Sequence, residues 1–169
     1  MNRTTLLMDF SVNKESNAIT VKREFAADLP LVWDAFTKSE ILDQWWAPKP
    51  WKARTKTMNF SEGGSWHYAM VGPEGEEHWA LANYKTIQNQ KGFTALDGFA
   101  DADGNINPVM PQSKWETDFS GVENGTTVIF QITFDDLAQL EATIQMGFKE
   151  GLTMAMAGLD EIFAARINS

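Results

Sequence analysis

The chain has 169 residues and a mass of 19.0 kDa, the size of one ordinary domain, and its 43% hydrophobic and 12% aromatic residues are enough to bury a substantial core. Fourteen Lys and Arg against 23 Asp and Glu give a net charge of -9, so the mean field repels nucleic-acid backbones and anionic membrane surfaces. There is no cysteine, which excludes disulfides, thiolate nucleophiles and Cys-ligated metals together.

The N-terminal run Leu6-Leu7-Met8 is stopped by Asp9 and preceded by the single cation Arg3. It is far shorter than the roughly 7–15 apolar residues of a secretory core, and no later stretch has the length of a membrane span. The expectation is a cytoplasmic protein without a leader. Residues 18–26 alternate Ile19, Val21, Arg23 and Phe25 with Thr20, Lys22 and Glu24, a period of two that predicts a strand. Pro30, Val32, Trp33 and Phe36, then Ile41, Leu42, Trp45 and Trp46, have helical spacing. Two short helices are predicted, with Ser39 capping the second and Pro48 and Pro50 closing the pair.

Lys49, Lys52, Arg54 and Lys56 form a local basic cluster in an acidic chain. Because the last three alternate with Ala53, Thr55 and Thr57, they read as the solvated face of a strand, or else as a docking patch for an acidic partner. From residue 53 to 134, Gly63-Gly64, Pro73-Glu74-Gly75, Asp103-Gly104 and Asn124-Gly125 punctuate runs rich in aromatic and β-branched residues, the mark of an antiparallel meander. Its longest loop, Asp101 to Gln112, carries Pro108 and Pro111 and is a candidate lid. After Phe134, steps of three and four through Leu137, Leu140, Ile144, Phe148, Leu152, Ala155, Leu159 and Phe163 predict a long helical region with one apolar stripe. Asp136, with Gln139 three residues on, is placed to cap it.

A strand, two short helices, a curved antiparallel sheet and a long C-terminal helix pack economically if the sheet wraps around that helix and leaves a cavity between them. This is an α+β arrangement in one domain, 1–169, with its core at about 18–165. The stretch Val21 to Trp51 carries Arg23-x-Phe25, Val32-Trp33-x-Ala35-Phe36-Thr37 and Trp45-Trp46-x-Pro48. Further on come Gly63-Gly64-x-Trp66-x-Tyr68-x-Met70, Pro73-Glu74-Gly75 and Met146-Gly147-Phe148-x-Glu150-Gly151. In these pieces and their order the chain resembles the heat-shock protein 90 ATPase activator-like family of the START-like (SRPBCC) superfamily. The resemblance implies the helix-grip START-like fold. It also implies a range of activities: carriage of apolar ligands, action as a chaperone cofactor in the stress response, or cyclase and dehydratase chemistry.

The hairpin at Pro73 is the most informative local feature. Proline suits the second position of a type I turn and Gly75 the left-handed position that follows, so a three-residue loop pairs Gly72 with Glu76. Counting outward sets Met70 opposite His78, Tyr68 opposite Ala80 and Trp66 opposite Ala82. Large aromatics against alanines leave concave steps suited to a pocket. The same register puts His67 and His78 on opposite faces, which argues against a two-histidine metal site, and no Gly-x-Ser-x-Gly or phosphate-binding glycine loop occurs. An EF-hand with Gly104 at its sixth position would run from Phe99 to Met110, neither of which is an oxygen ligand, so Asp101-x-Asp103-Gly104-Asn105 reads as a turn.

Trp33, Trp45 and Trp46 are expected to wedge the short helices against the sheet, with Trp66 and Trp115 lining the interior. Candidate ligand contacts are Trp66, Tyr68 and Met70 on one strand, His78, Ala80, Ala82 and Tyr84 on the next, and Phe148, Gly151 and Ala155 on the helix. The leading expectation is a non-enzymatic protein that holds an apolar or amphipathic small molecule, with His78, Tyr68 or Asn83 orienting a polar group and no cofactor or metal. The acid-base alternative would draw on Glu76, Glu77 or Asp118 beside Tyr68 or His78. On the outer face, Trp79 and Leu81 beside His67 suggest a contact between two copies of the chain.

Overall fold

A computed structural model describes residues 8–167. Eight strands form one antiparallel sheet in the order β1-β2-β8-β7-β6-β5-β4-β3. They are β1 (Met8–Asn13), β2 (Ala18–Phe25), β3 (Lys52–Met58), β4 (Ser65–Val71), β5 (Glu77–Gln88), β6 (Gly92–Ala100), β7 (Gln112–Val122) and β8 (Gly125–Phe134). Helices α1 (Leu29–Thr37) and α2 (Ser39–Trp45) follow β2, and α3 (Leu137–Gln145) and α4 (Phe148–Ile167) follow β8. The sheet is curved and grips α4, so the fold is the helix-grip α+β architecture. Among the described residues no helix is long and apolar enough to cross a membrane.

Three details depart from the sequence reading. A strand, β1, precedes the predicted first one, and Met8 of the Leu6-Leu7-Met8 run opens it, while Leu6 and Leu7 lie outside the described residues. Only Met8 and Phe10 of β1 turn inward to the core; the rest of this edge strand is largely exposed and carries little apolar signal. The helical region after Phe134 is broken in two at Gly147, whose φ of +87° is the left-handed conformation that ends a helix. Ser39 does not cap α2: Lys38 holds the N-cap position and the Ser39 hydroxyl bonds Glu40 instead. Asp136, by contrast, caps α3, its Oδ1 accepting from the Gln139 backbone N–H at 2.8 Å.

The apolar alternation of the strands places one continuous core on the concave face. Trp33 and Phe36 of α1 fill one end, where Trp33 lies 5.0 Å from Phe119 and Phe36 lies 4.9 Å from Trp45, centroid to centroid. Helix α4 crosses the sheet from Phe148, against Phe10 and Trp115, to Phe163, edge-on to Phe25 at 5.8 Å. Arg23 of β2 clamps it with a two-pronged pair to Asp160 at 2.5 and 3.2 Å.

The basic cluster falls on β3, the edge of the sheet. There exposed Lys52, Arg54 and Lys56 guard unpaired backbone groups against edge-to-edge association. Arg54 pairs with Glu77, and Lys56 donates to the Ala102 carbonyl at 2.6 Å. The first part of the candidate lid is a hydrogen-bonded turn, in which Asp101 Oδ1 accepts from the backbone N–H of Asp103 and of Asn105, each at 2.9 Å, and Pro111 near its end lines the cavity described below. Those bonds, first of all the one from Asn105, hold the Asp101 carboxyl below its ordinary range. The turn covers the outer face, where the Asp101 carbonyl lies 2.9 Å from His67 Nε2. With Arg54 and Lys56 over the Trp79 ring, the apolar patch at Trp79 and Leu81 is half-buried by the chain itself.

Candidate functional site

The Pro73 hairpin closes as its residues dictate. Gly72 N–H donates to the Glu76 carbonyl at 2.8 Å, and Gly75 takes φ +88°. Met70 pairs with His78, Tyr68 with Ala80 and Trp66 with Ala82. The first two of these steps form one wall of a cavity of about 460 Å³. Phe134 and Ile132 of β8, Trp115 of β7 and the α3–α4 junction form the opposite side, and Trp46, Pro48 and Trp51 close it from the segment after α2.

That segment is held by side-chain bonds to the neighbouring strands. Asp43 Oδ1 accepts from the backbone N–H and the hydroxyl of Thr55 at 3.0 and 2.6 Å, and the same hydroxyl accepts from Trp66 Nε1 at 3.0 Å. Trp46 Nε1 then donates to the Tyr68 hydroxyl at 2.9 Å, with the Trp46 ring 5.6 Å from Trp66 and 5.9 Å from Trp115.

Of the ten candidate contacts, Tyr68, Met70, His78, Ala80, Phe148 and Gly151 line this cavity. Trp66, Ala82, Tyr84 and Ala155 lie in the packed core behind it. Trp66 stacks on Tyr68 at 3.9 Å and so presents an edge to its neighbours, while Tyr84 is enclosed by Phe60 and Phe93. Asn83 belongs to the other face, because Ala82 and Tyr84 on either side of it point inward. His78 is exposed at the mouth, 5.3 Å from the Trp51 ring.

The carboxylates considered for acid-base work lie elsewhere: Glu76, Glu77 and Asp118 are exposed and none lines the cavity. The carboxyl that does is Asp97 of β6. Its Oδ1 is buried and accepts no hydrogen bond, and burial pushes the group from 3.8 up to about 8, so the neutral acid dominates at pH 7. Burial, then the charge of Asp97, raises Tyr68, and the same two causes raise Tyr84. The sequence carries a signal for Asp97 in the alternation Phe93, Ala95, Asp97, Phe99, an acid at an inward position of an apolar face. Counting on from Pro73 does not reach it, since a bulge between Tyr84 and Thr86 shifts the β5–β6 register.

The model of the family described as Activator of Hsp90 ATPase homolog 1-like protein matches residues 26–164. No curated protein matches the chain. Among solved structures, protein Ms6760 from Mycobacterium smegmatis is 26% identical with a TM-score of 0.85, over 94% of this chain and 96% of that one. A protein from Arthrobacter aurescens is 27% identical with a TM-score of 0.87, over 93% and 91%. One from Staphylococcus epidermidis is 28% identical with a TM-score of 0.81, over 92% and 94%.

Proposed function

Since the chain belongs to the activator of Hsp90 ATPase homolog 1-like family, we propose that it is a cytoplasmic binding protein for an apolar or amphipathic small molecule. The observation that carries this reading is the cavity of about 460 Å³ itself, walled by Trp46, Trp115, Phe134 and Phe148 and interrupted by few polar groups. Removing a ligand's apolar surface from water there contributes about 25 cal/mol per Å², and the polar groups fix its orientation. Native mass spectrometry of gently purified protein, with a thermal-shift screen of fatty acids, sterols and aromatic polyketides, tests it. A bound mass or a rise in melting temperature for one class is expected; no bound mass and no shift from any class overturns it.

A second reading, stimulation of the heat-shock protein 90 ATPase, draws on the family description and on the exposed cations of β3 as a surface for an acidic partner. It predicts binding that weakens with salt and an increased ATPase rate of the chaperone. Neither effect at low salt removes it.

A further inference from the structure

The hydrogen-bonding groups of the cavity are unbalanced. Two indoles occupy hydroxyl oxygens as acceptors: Trp46 Nε1 donates to Tyr68 at 2.9 Å, and Trp115 Nε1 donates to Ser113 at 3.0 Å. Each hydroxyl must then aim its own proton elsewhere, and neither proton meets an acceptor among the described residues. Ser113 is the direct cross-strand partner of Asp97, and Tyr68 is close enough to feel its charge. Asp97 itself has an oxygen without a donor, and as a neutral acid it brings a third proton to the same region. Among these groups three protons stand against one open acceptor, the Asp97 oxygen that carries no proton.

We propose that the cavity takes a neutral carbonyl compound with an apolar body, its oxygen seated between the Asp97 carboxyl and the Tyr68 hydroxyl. A carbonyl oxygen has two lone pairs for two donors and brings no charge into an apolar site. A carboxylate ligand would bury its charge in an apolar cavity whose lining includes no lysine or arginine, in a chain of net charge -9. This assignment rests on the small-molecule reading and gives it a ligand class.

The ionisable residues lining the cavity are Tyr68, His78 and Asp97, and Tyr84 also interacts with Asp97; the parts of α3 and α4 that form the wall, Thr143, Met146, Phe148 and Leu152 among them, contribute none. The carbonyl preference should therefore follow Asp97, present while it is protonated and lost as pH rises through about 8.

Calorimetric titration with 2-acetylnaphthalene and 2-ethylnaphthalene, of matched size, measures that preference. The expected result is about tenfold tighter binding of the ketone at pH 7, an infrared carbonyl band moved to lower wavenumber in the complex, and loss of the preference by pH 9.5. Asp97→Asn, whose amide also donates, should keep the preference at both pH values, which separates Asp97 from His78; Asp97→Leu should abolish it. The wild-type pH series needs no variant to fold. Equal binding of both compounds at pH 7 overturns the carbonyl assignment and leaves the small-molecule reading standing, as does tighter binding of 2-naphthylmethylamine than of the ketone. No binding by these compounds or by the wider panel overturns both.

Discussion

The two ends of the concave face are built from the same strands and the same aromatic vocabulary, yet one is solid and the other hollow. At the solid end, Phe36 sits within ring contact of Phe25, Trp45, Phe119 and Phe130, and Trp33 within reach of Phe60, Phe93 and Phe119. At the hollow end, Tyr68 meets Ala80 across the sheet, and α4 contributes Gly151 to the lining, where a Cβ would touch only Pro48 Cγ at 3.8 Å. What differs is the size of the side chain that answers each aromatic. The helices fill the sheet where α1 delivers large residues and leave it open where α4 presents Gly151.

That contrast is broken most severely from the solid side. Phe36→Ala removes a ring that four others pack against and should cost about 3–5 kcal/mol in urea unfolding, because so interlocked a neighbourhood cannot collapse into the gap.

Asp97→Asn acts at the hollow end with the opposite sign. The native carboxyl titrates at about 8 against 3.8 for the free group, so the unfolded chain ionises while the native state holds its proton. Stability is thus lost between about pH 4 and pH 8 and stays low above that range. The asparagine variant escapes this penalty. Chemical denaturation should find it more stable by about 2 kcal/mol at pH 8, only part of the full linkage value because the cavity admits water, and nearly equal to the parent at pH 4. Equal stability at both pH values would mean that Asp97 is better solvated than its position indicates.

Gly151→Leu should move stability least and function most. With nothing but Pro48 at ordinary contact distance, the added side chain has room, and the gain in helix propensity of about 1 kcal/mol offsets its ordering. We expect unfolding free energy equal to the parent or slightly above it, with every ligand-induced thermal shift gone. A loss of about 1–3 kcal/mol in ligand-free protein would mean that the two ends are equally packed.

The parts of this contrast that were readable in the sequence are those fixed by short-range rules. Pro73 and Gly75 determine a turn, the turn determines a register, and the register sets Trp66, Tyr68 and Met70 against Ala82, Ala80 and His78. Asp136 and Gln139 locate a helix start in the same way. Features that depend on distant partners were not readable. The bulge after Tyr84 interrupts the count before Asp97, and the apolar stripe from Leu140 to Phe163 runs on in step through the break at Gly147. Which four of the ten candidate residues retreat into the core depends on Phe60, Phe93 and Trp46 arriving from other elements.

The row of indoles at the boundary between the two ends has an optical consequence. Trp45, Trp46, Trp66 and Trp115 are linked through Trp46 by centroid distances of 5.4, 5.6 and 5.9 Å. At such spacings excitation passes among the rings faster than it is emitted, and their transitions couple strongly enough to shape the near-ultraviolet circular dichroism. Because Trp46 and Trp115 also face the cavity, whatever enters it perturbs the whole row at once. The intrinsic emission of the native protein is therefore a label-free gauge of occupancy, amplified beyond what one tryptophan at the same site would report.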